Sequence, residues 1–165
     1  MIDLHHLERY RENNRLEAKR AIGGLPQSIW ETYSAFANTC GGLILMGVEE
    51  YPDHSLHPVD LPDPSGILQD FWTIVNDSDK VSANILSDSD VREILLEDKH
   101  IIAIHVPRAP LRELPVYLGG NPRTGTFWRS GEGDFRCSPE EVLNLALANV
   151  EPELPMKPSG KRRKR

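Results

Sequence analysis

The chain is poor in cysteine. Its two, Cys40 and Cys137, lie far apart and outside any Cys-x-x-Cys pair. That excludes a disulfide-stapled scaffold and a zinc knuckle, and it points to a reducing, cytoplasmic setting. Long apolar runs are also missing. Nothing approaches the roughly 18 consecutive apolar residues that cross a bilayer, so no membrane partner is expected. The polar stretch from Met1 to Arg20 has no apolar core for a signal peptide. Internal repeats are absent, which excludes solenoid and propeller architectures. Bases are scarce in one region: residues 21–98 hold 14 acids but only Lys80 and Arg92 as bases.

What is present suits one soluble domain with a core, since 39% of the 165 residues are hydrophobic and 27% charged. The net charge of −6 averages unlike parts. Lys161, Arg162, Arg163, Lys164 and Arg165 are all basic, so residues 1–160 carry −11. Residues 151–165 add Pro152, Pro155 and Pro158 to that basic run, a composition that predicts a disordered tail after a domain spanning residues 1–150. Within the body, residues 99–136 reverse the acidic balance, with six bases against three acids. Arg9, Arg11, Arg15, Lys19 and Arg20 form a second basic cluster.

Periodicity predicts a short helix over Leu4–Tyr10 and a strand over Arg15–Lys19. A helix opens at Pro26 with Ile29, Tyr33, Phe36 and Ala37 on one face, and it must stop at Gly41-Gly42. Leu43–Val48 reads as a strand buried on both faces. Ile67 to Val75 describes a second amphipathic helix. Ala83–Leu86, Val91–Leu96 and His100–Val106 read as strands, the last two forming a hairpin around Glu97-Asp98-Lys99. Shorter strands are expected at Val116–Leu118 and Thr126–Trp128, with a turn over residues 120–126. Ser138-Pro139-Glu140-Glu141 is a capping box that opens a last helix. These elements predict an α+β fold: one domain with a mixed β-sheet and about three packed helices. Trp30, Phe36, Phe71 and Trp72 are core by their spacing.

Two segments carry the most specific signal. The first is Glu12-Asn13-Asn14-Arg15-Leu16-Glu17-Ala18-Lys19. The second runs from Ser34-Ala35-Phe36-Ala37-Asn38 through Gly41-Gly42 to Gly47-Val48-Glu49-Glu50. Together they resemble the Schlafen AlbA-type domain, whose hallmarks are Glu-x4-Glu-x-Lys, Ala-Phe-Ala-Asn-x-x-Gly-Gly and Gly-Val followed by two acids. The stretches around Gln69–Trp72, Lys80–Asn84 and Arg129–Asp134 are also family-like, so the resemblance covers about residues 8–149.

The resemblance implies a nucleic-acid-binding domain, tied in the family to regulation, with DNA or RNA as partner. Phosphates would then be held by Arg15, Lys19, Arg20, Arg123, Arg129 and Arg136 and by the tail bases Lys161, Arg162, Arg163, Lys164 and Arg165. It also carries an alternative, a metal-dependent endoribonuclease acting on structured RNA. In the cleaving relatives a triad matches Glu12, Glu17 and Glu50 here, and those three would be both catalytic residues and ligands of Mg²⁺ or Mn²⁺. Glu50 stands where those relatives carry Asp, and Ala18 replaces the usual aromatic. Without nuclease activity no cofactor is expected. A third reading is a protein-interaction module that uses the acidic surface. Because vertebrate Schlafens place two related lobes in one chain, a homodimer is a further expectation.

Other features carry less. Gly120 to Thr126 has a phosphate-loop spacing without its lysine. His5-His6 has no metal partners in sequence. Trp128, an aromatic beside an arginine, is the one candidate for stacking on a base.

Overall fold

Short apolar stretches separated by glycine set the course of the central sheet. A computed structural model describes residues 2–150. The expected tail, with Lys161 to Arg165, lies outside the described residues. After a 3₁₀ segment at Leu4–Arg9, β1 (Leu16–Lys19) leads through α1 (Ile29–Asn38) to β2 (Gly42–Met46). β1 and β2 pair in parallel, with Leu16 opposite Leu43. A parallel pair needs a crossover, and α1 supplies it. β3 (Val48–Glu50) and β4 (Leu56–Pro58) make a small separate ladder. Next come α2 (Pro64–Val75) and the hairpin β5 (Val91–Leu96) and β6 (Lys99–Val106). The single turn α3 (Pro122–Gly125) precedes the hairpin β7 (Phe127–Ser130) and β8 (Gly133–Arg136), and α4 (Pro139–Val150) closes the domain. The main sheet is mixed, in the order β1-β2-β6-β5. The architecture is α+β with three long helices, as expected.

Alternation along the strands gives this sheet two apolar faces. Ile44, Met46, Ile102, Ile104 and Val106 pack against Ile29, Tyr33 and Phe36 of α1 and Phe71 of α2. On the other face Leu16, Leu45, Ile101 and Ala103 meet Leu7, Val48 and Leu56, so the 3₁₀ segment and the β3–β4 ladder cover part of it. Gly47 separates β2 from β3. Its φ is +87°, and a Cβ there would lie 2.9 Å from Leu61 Cγ, so neither the backbone angle nor the space suits another residue. The expected single strand Leu43–Val48 is therefore two strands in two ladders.

The Asn-x-x-Gly-Gly end of α1 has a packing reason. Asn38 is fully buried; its Nδ2 donates to the carbonyls of Val116 (2.9 Å) and Phe127 (3.0 Å), and its Oδ1 accepts the Val116 N–H at 2.8 Å. Ser34 Oγ donates to the Val116 carbonyl and accepts the Phe127 N–H. Helix side chains thus take the place of a strand partner. Gly42 is needed for close approach, because a Cβ would stand 2.7 Å from the Phe36 ring.

Several expectations are corrected here. Val116–Leu118 is not a strand; only isolated bridges form, Tyr117 with Thr126 and Val81 with Leu118. Ala83–Leu86 is irregular, held by the Tyr33 hydroxyl, which donates to the Ala83 carbonyl and accepts the Ile85 N–H. Residues 120–126 contain the helical turn α3 instead of a hairpin turn, capped by Asn121 accepting the Arg123 N–H. The first long helix starts at Ile29, after a turn that includes Pro26. The capping box is present as read: Glu141 Oε1 accepts the Ser138 N–H, and Ser138 Oγ accepts the Glu141 N–H. Both cysteines are free thiols.

Replacing Asn38 by Ala removes three buried hydrogen bonds, to the Val116 and Phe127 carbonyls and from the Val116 N–H, although Ser34 still donates to the Val116 carbonyl. Asn38→Ala is expected to lower stability by at least about 2 kcal/mol, read from urea denaturation. A loss within experimental error would refute the bridging role.

Candidate functional site

Glu17 and Lys19 alternate onto the helix-bearing side of edge strand β1, level with Ile44 and Met46. There they meet Arg129, whose side chain is fully buried. Arg129 Nη1 contacts Glu17 Oε1 at 3.0 Å and Asp134 Oδ1 at 2.8 Å. Nη2 donates to the carbonyls of Asn13 (2.8 Å) and Leu16 (3.2 Å), and Nε donates to Asn13 at 3.3 Å. The guanidinium also stands 4.9 Å from the centre of the Phe36 ring. Asp134 Oδ2 accepts the Thr32 hydroxyl at 2.6 Å, and Lys19 Nζ sits 3.2 Å from Glu17 Oε2 and 3.0 Å from Ser28 Oγ. Two cations and two carboxylates balance one another out of water. The expectation that Arg129 binds phosphate is corrected: every guanidinium N–H is already directed at a protein oxygen or into the hub.

Beside this hub lies a second group of acids with different electrostatics. Glu12, Glu50 and Glu132 each place one carboxylate oxygen within 4.8 Å of the others. Glu12 is anchored by accepting the Ala18 N–H at 2.9 Å, an amide on the open edge of β1. Glu50 ends β3, and His54 Nδ1 approaches its Oε2 at 3.2 Å. Glu132 occupies the two-residue turn, Gly131-Glu132, between β7 and β8. Burial raises the pKa of Glu12; the Ala18 N–H opposes that rise, and the charges of Glu17, Glu50 and Glu132 add to it. No Lys or Arg pairs with Glu12, Glu50 or Glu132 among the described residues.

Of the expected trio, the structure brings Glu12 and Glu50 together and adds Glu132. Glu17 stands close enough to influence Glu12, but its two oxygens face Arg129 and Lys19. Three unneutralised carboxylates are hard oxygen donors, the set that suits Mg²⁺ or Mn²⁺. In this structure the donor set that fits such an ion is therefore Glu12, Glu50 and Glu132. Glu132 was missed in the sequence although its signal was there: Gly131-Glu132-Gly133 between two short strands is a hairpin-turn pattern.

The remaining expected cations divide by environment. Lys19 is held by Glu17, and Arg20 Nε pairs with Glu49 Oε1 at 2.9 Å. Arg15, Arg123 and Arg136 are without carboxylate partners among the described residues, and Arg136 lies over the Phe127 ring at 5.8 Å. Alternation along β7 turns Phe127 and Arg129 inward and Trp128 and Ser130 outward. Trp128 and Phe135 pair directly across the hairpin, exposed by 37% and 57%. Two large aromatics side by side in solvent are an unusual use of surface.

The β–α–β unit, the mixed sheet and the hairpin locked against α1 define an AlbA-type α+β domain. Residues 12–138 match the family described as Schlafen, AlbA_2, and the chain belongs to that family. No curated protein matches the sequence significantly. Among solved structures, the chain is similar to the N-terminal domain of a Nitrosomonas europaea protein related to the ATP-dependent DNA helicase RecG. The identity is 28% and the TM-score 0.57, over 79% of this chain and 88% of that domain. It is also similar in fold to the DIP2311 protein from Corynebacterium diphtheriae, at 17% identity and a TM-score of 0.53. That likeness covers 88% of this chain but only 25% of the other.

Two substitutions test the site's electrostatics. Arg129→Met leaves Glu17 and Asp134 buried without their shared partner and is expected to cost about 3–5 kcal/mol in urea denaturation; a loss below 1 kcal/mol would refute the hub. Glu12 holds its proton more tightly in the native state than in the unfolded chain. The stability contributed by Glu12 is therefore fully present below the ordinary value of 4.5 and is lost as pH rises through the raised one. Glu12→Gln, which keeps an acceptor for Ala18, should melt a few degrees higher than the wild type at pH 7, with the gap closing towards pH 4. A gap independent of pH would contradict the assignment.

Proposed function

We propose that the protein is a nucleic-acid-binding module whose contact surface centres on the β7–β8 hairpin. The observation that carries this reading is the exposed Trp128–Phe135 pair, which shares a surface hollow with Arg136 at the end of the hairpin. Flat aromatic faces stack on bases, and a neighbouring arginine holds the phosphate; stacking contributes about 1–3 kcal/mol per base. Membership of the Schlafen AlbA_2 family and the similarity to a domain of a RecG-related protein support the same reading. The net acidity of the body does not oppose it, because a strand responds to local clusters of charge rather than to the sum. A regulatory role in the cytoplasm accords with the family.

The second reading, a metal-dependent nuclease, is favoured by one specific observation: Glu12, Glu50 and Glu132 converge without a cation of their own. A divalent ion held there would supply an activated water and offset charge on a phosphodiester. Glu12 and Glu50 come from the two segments with the strongest family signal, and Glu132 is delivered by the same hairpin that bears the aromatics. A strand stacked on Trp128 and Phe135 would have its backbone carried toward these carboxylates by the two strands that lead into the turn.

One experiment addresses both. Short fluorescein-labelled RNA and DNA strands are titrated with the protein, with Mn²⁺ or with EDTA, and both anisotropy and cleavage are recorded. Binding should weaken at least about fivefold in Trp128→Ala and in Phe135→Ala. Unchanged affinity in both variants would remove the platform. Mn²⁺-dependent cleavage abolished in Glu12→Gln and Glu50→Gln supports the nuclease, retention without cleavage supports the binding module alone, and neither activity defeats both readings.

A further inference from the structure

The helix-free face of the main sheet is only partly covered. Leu7, Val48 and Leu56 pack over Leu45, Ile101 and Leu96, but toward the start of β1 and β2 the face opens into a cleft of about 790 Å³. Volumes of roughly 300–1,000 Å³ are those of small-molecule sites. The floor is Leu16, Leu43 and Ala103, and Tyr10 and Leu4 form one wall. None of this belongs to the hairpin platform or to the carboxylate cluster.

The strand register explains what surrounds the floor. Leu16 on β1, Leu43 on β2 and His105 on β6 lie in one row, while Ala103 on β6 faces Arg92 on β5. Arg15 enters from the chain just before β1, so the two arginines stand on opposite sides of the floor. Three strand spacings separate β1 from β5, roughly 14 Å, a span that two arginine side chains can bridge toward a shared ligand. His105 Nδ1 is held by Asp90 Oδ1 at 3.1 Å. When that nitrogen donates, Nε2 is left as an acceptor.

Charge makes this cleft distinctive. Its lining contains two arginines and a histidine but no carboxylate. Arg92 is one of only two bases in a segment with 14 acids, and it does not pair with any of them. Arg15 likewise is without a carboxylate partner among the described residues, whereas Arg20 has one and Arg129 two. Two unpaired guanidinium groups across an apolar floor call for a ligand with an anionic group and a flat, weakly polar body. Asn13 Oδ1 accepts the Arg15 N–H at 2.8 Å and fixes that turn, and Asn14 at the rim adds an amide donor and acceptor for the edge of a heterocycle.

We propose that this cleft is a nucleotide site: Arg15 and Arg92 hold the phosphate, the base lies over Leu43 against Tyr10, and His105 and Asn14 meet its polar edge. The ligand is either a free mononucleotide or one nucleotide of a longer strand. A fatty acid or lipid would require a longer enclosed apolar channel than a floor of three side chains provides. Inorganic phosphate alone would leave the half-buried Leu43 and Tyr10 without a partner.

The test uses the full chain and isothermal titration with each of the four ribonucleoside monophosphates, the matching nucleosides, inorganic phosphate and a short single strand. At least one monophosphate should bind more than tenfold tighter than its nucleoside and than inorganic phosphate. Arg15→Ala and Arg92→Ala, both at exposed positions, should each weaken that binding at least tenfold, while Lys80→Ala, at the other base of the acidic segment, leaves it unchanged. If only the strand binds, with the same dependence on Arg15 and Arg92, the nucleotide is one within a strand and the site stands. Binding that ignores both arginine substitutions, equal affinity for inorganic phosphate, or no binding by any probe overturns the proposal. Because the hairpin platform is judged by Trp128 and Phe135 and this cleft by Arg15 and Arg92, failure of one leaves the other intact.

Discussion

The buried guanidinium of Arg129 ties together parts of the chain that have no other reason to meet. It reaches Asn13 and Leu16 at the start of β1, Glu17 within β1 and Asp134 on its own hairpin, and Asp134 in turn holds Thr32 of α1. A charge removed from water is costly unless its partners are close and complete. Here two carboxylates, two backbone carbonyls and an aromatic face surround it, and Lys19 restores the balance of charge. The hairpin is therefore fixed in position as well as attached. Asn38 and Ser34 fix its neighbouring segment in the same way, with side-chain amide and hydroxyl groups acting as the missing strand partner.

Everything proposed about the hairpin depends on that placement. Arg129 and Trp128 are adjacent on β7 and point to opposite sides, so locking one inward commits the other outward. Two residues past the end of β7, the turn carries Glu132 to Glu12 and Glu50. The two glutamates of the opening motif are consequently divided in role. Glu17 is neutralised within the hub, while Glu12, anchored by a β1 amide, remains among uncompensated charges. An identical residue type five positions apart has two different electrostatic fates, and the difference lies in whether a cation from a distant strand reaches it.

The same division explains why net charge says so little about the surface. The acids of residues 21–98 are mostly peripheral, and several are engaged by local N–H groups or by histidines, as with Asp60 and His100 or Asp90 and His105. A few arginines have no carboxylate partner among the described residues. Those on either side of the open cleft, Arg15 just before β1 and Arg92 on β5, belong to the two edges of the main sheet, and no local count of charge would bring them together.

Local signals made much of the fold legible. Glycine pairs and the Ser138–Glu141 capping box act within a few residues, so the long helices and the β5–β6 hairpin could be read directly, and these elements pointed to the α+β class. Expectations failed where partners were distant. Val116–Leu118 and Ala83–Leu86 have strand-like composition, but their backbone groups are satisfied by Asn38, Ser34 and Tyr33 of α1, and composition cannot reveal a side chain standing in for a ladder. Sequence alone determined the elements, the apolar faces and the acidic character of Glu12, Glu17 and Glu50. Tertiary structure alone decided that Arg129 is interior, that Glu132 joins Glu12 and Glu50, and that Arg15 and Arg92 line one cleft, because pairing in space and desolvation of charge are set by contacts between residues far apart in the chain.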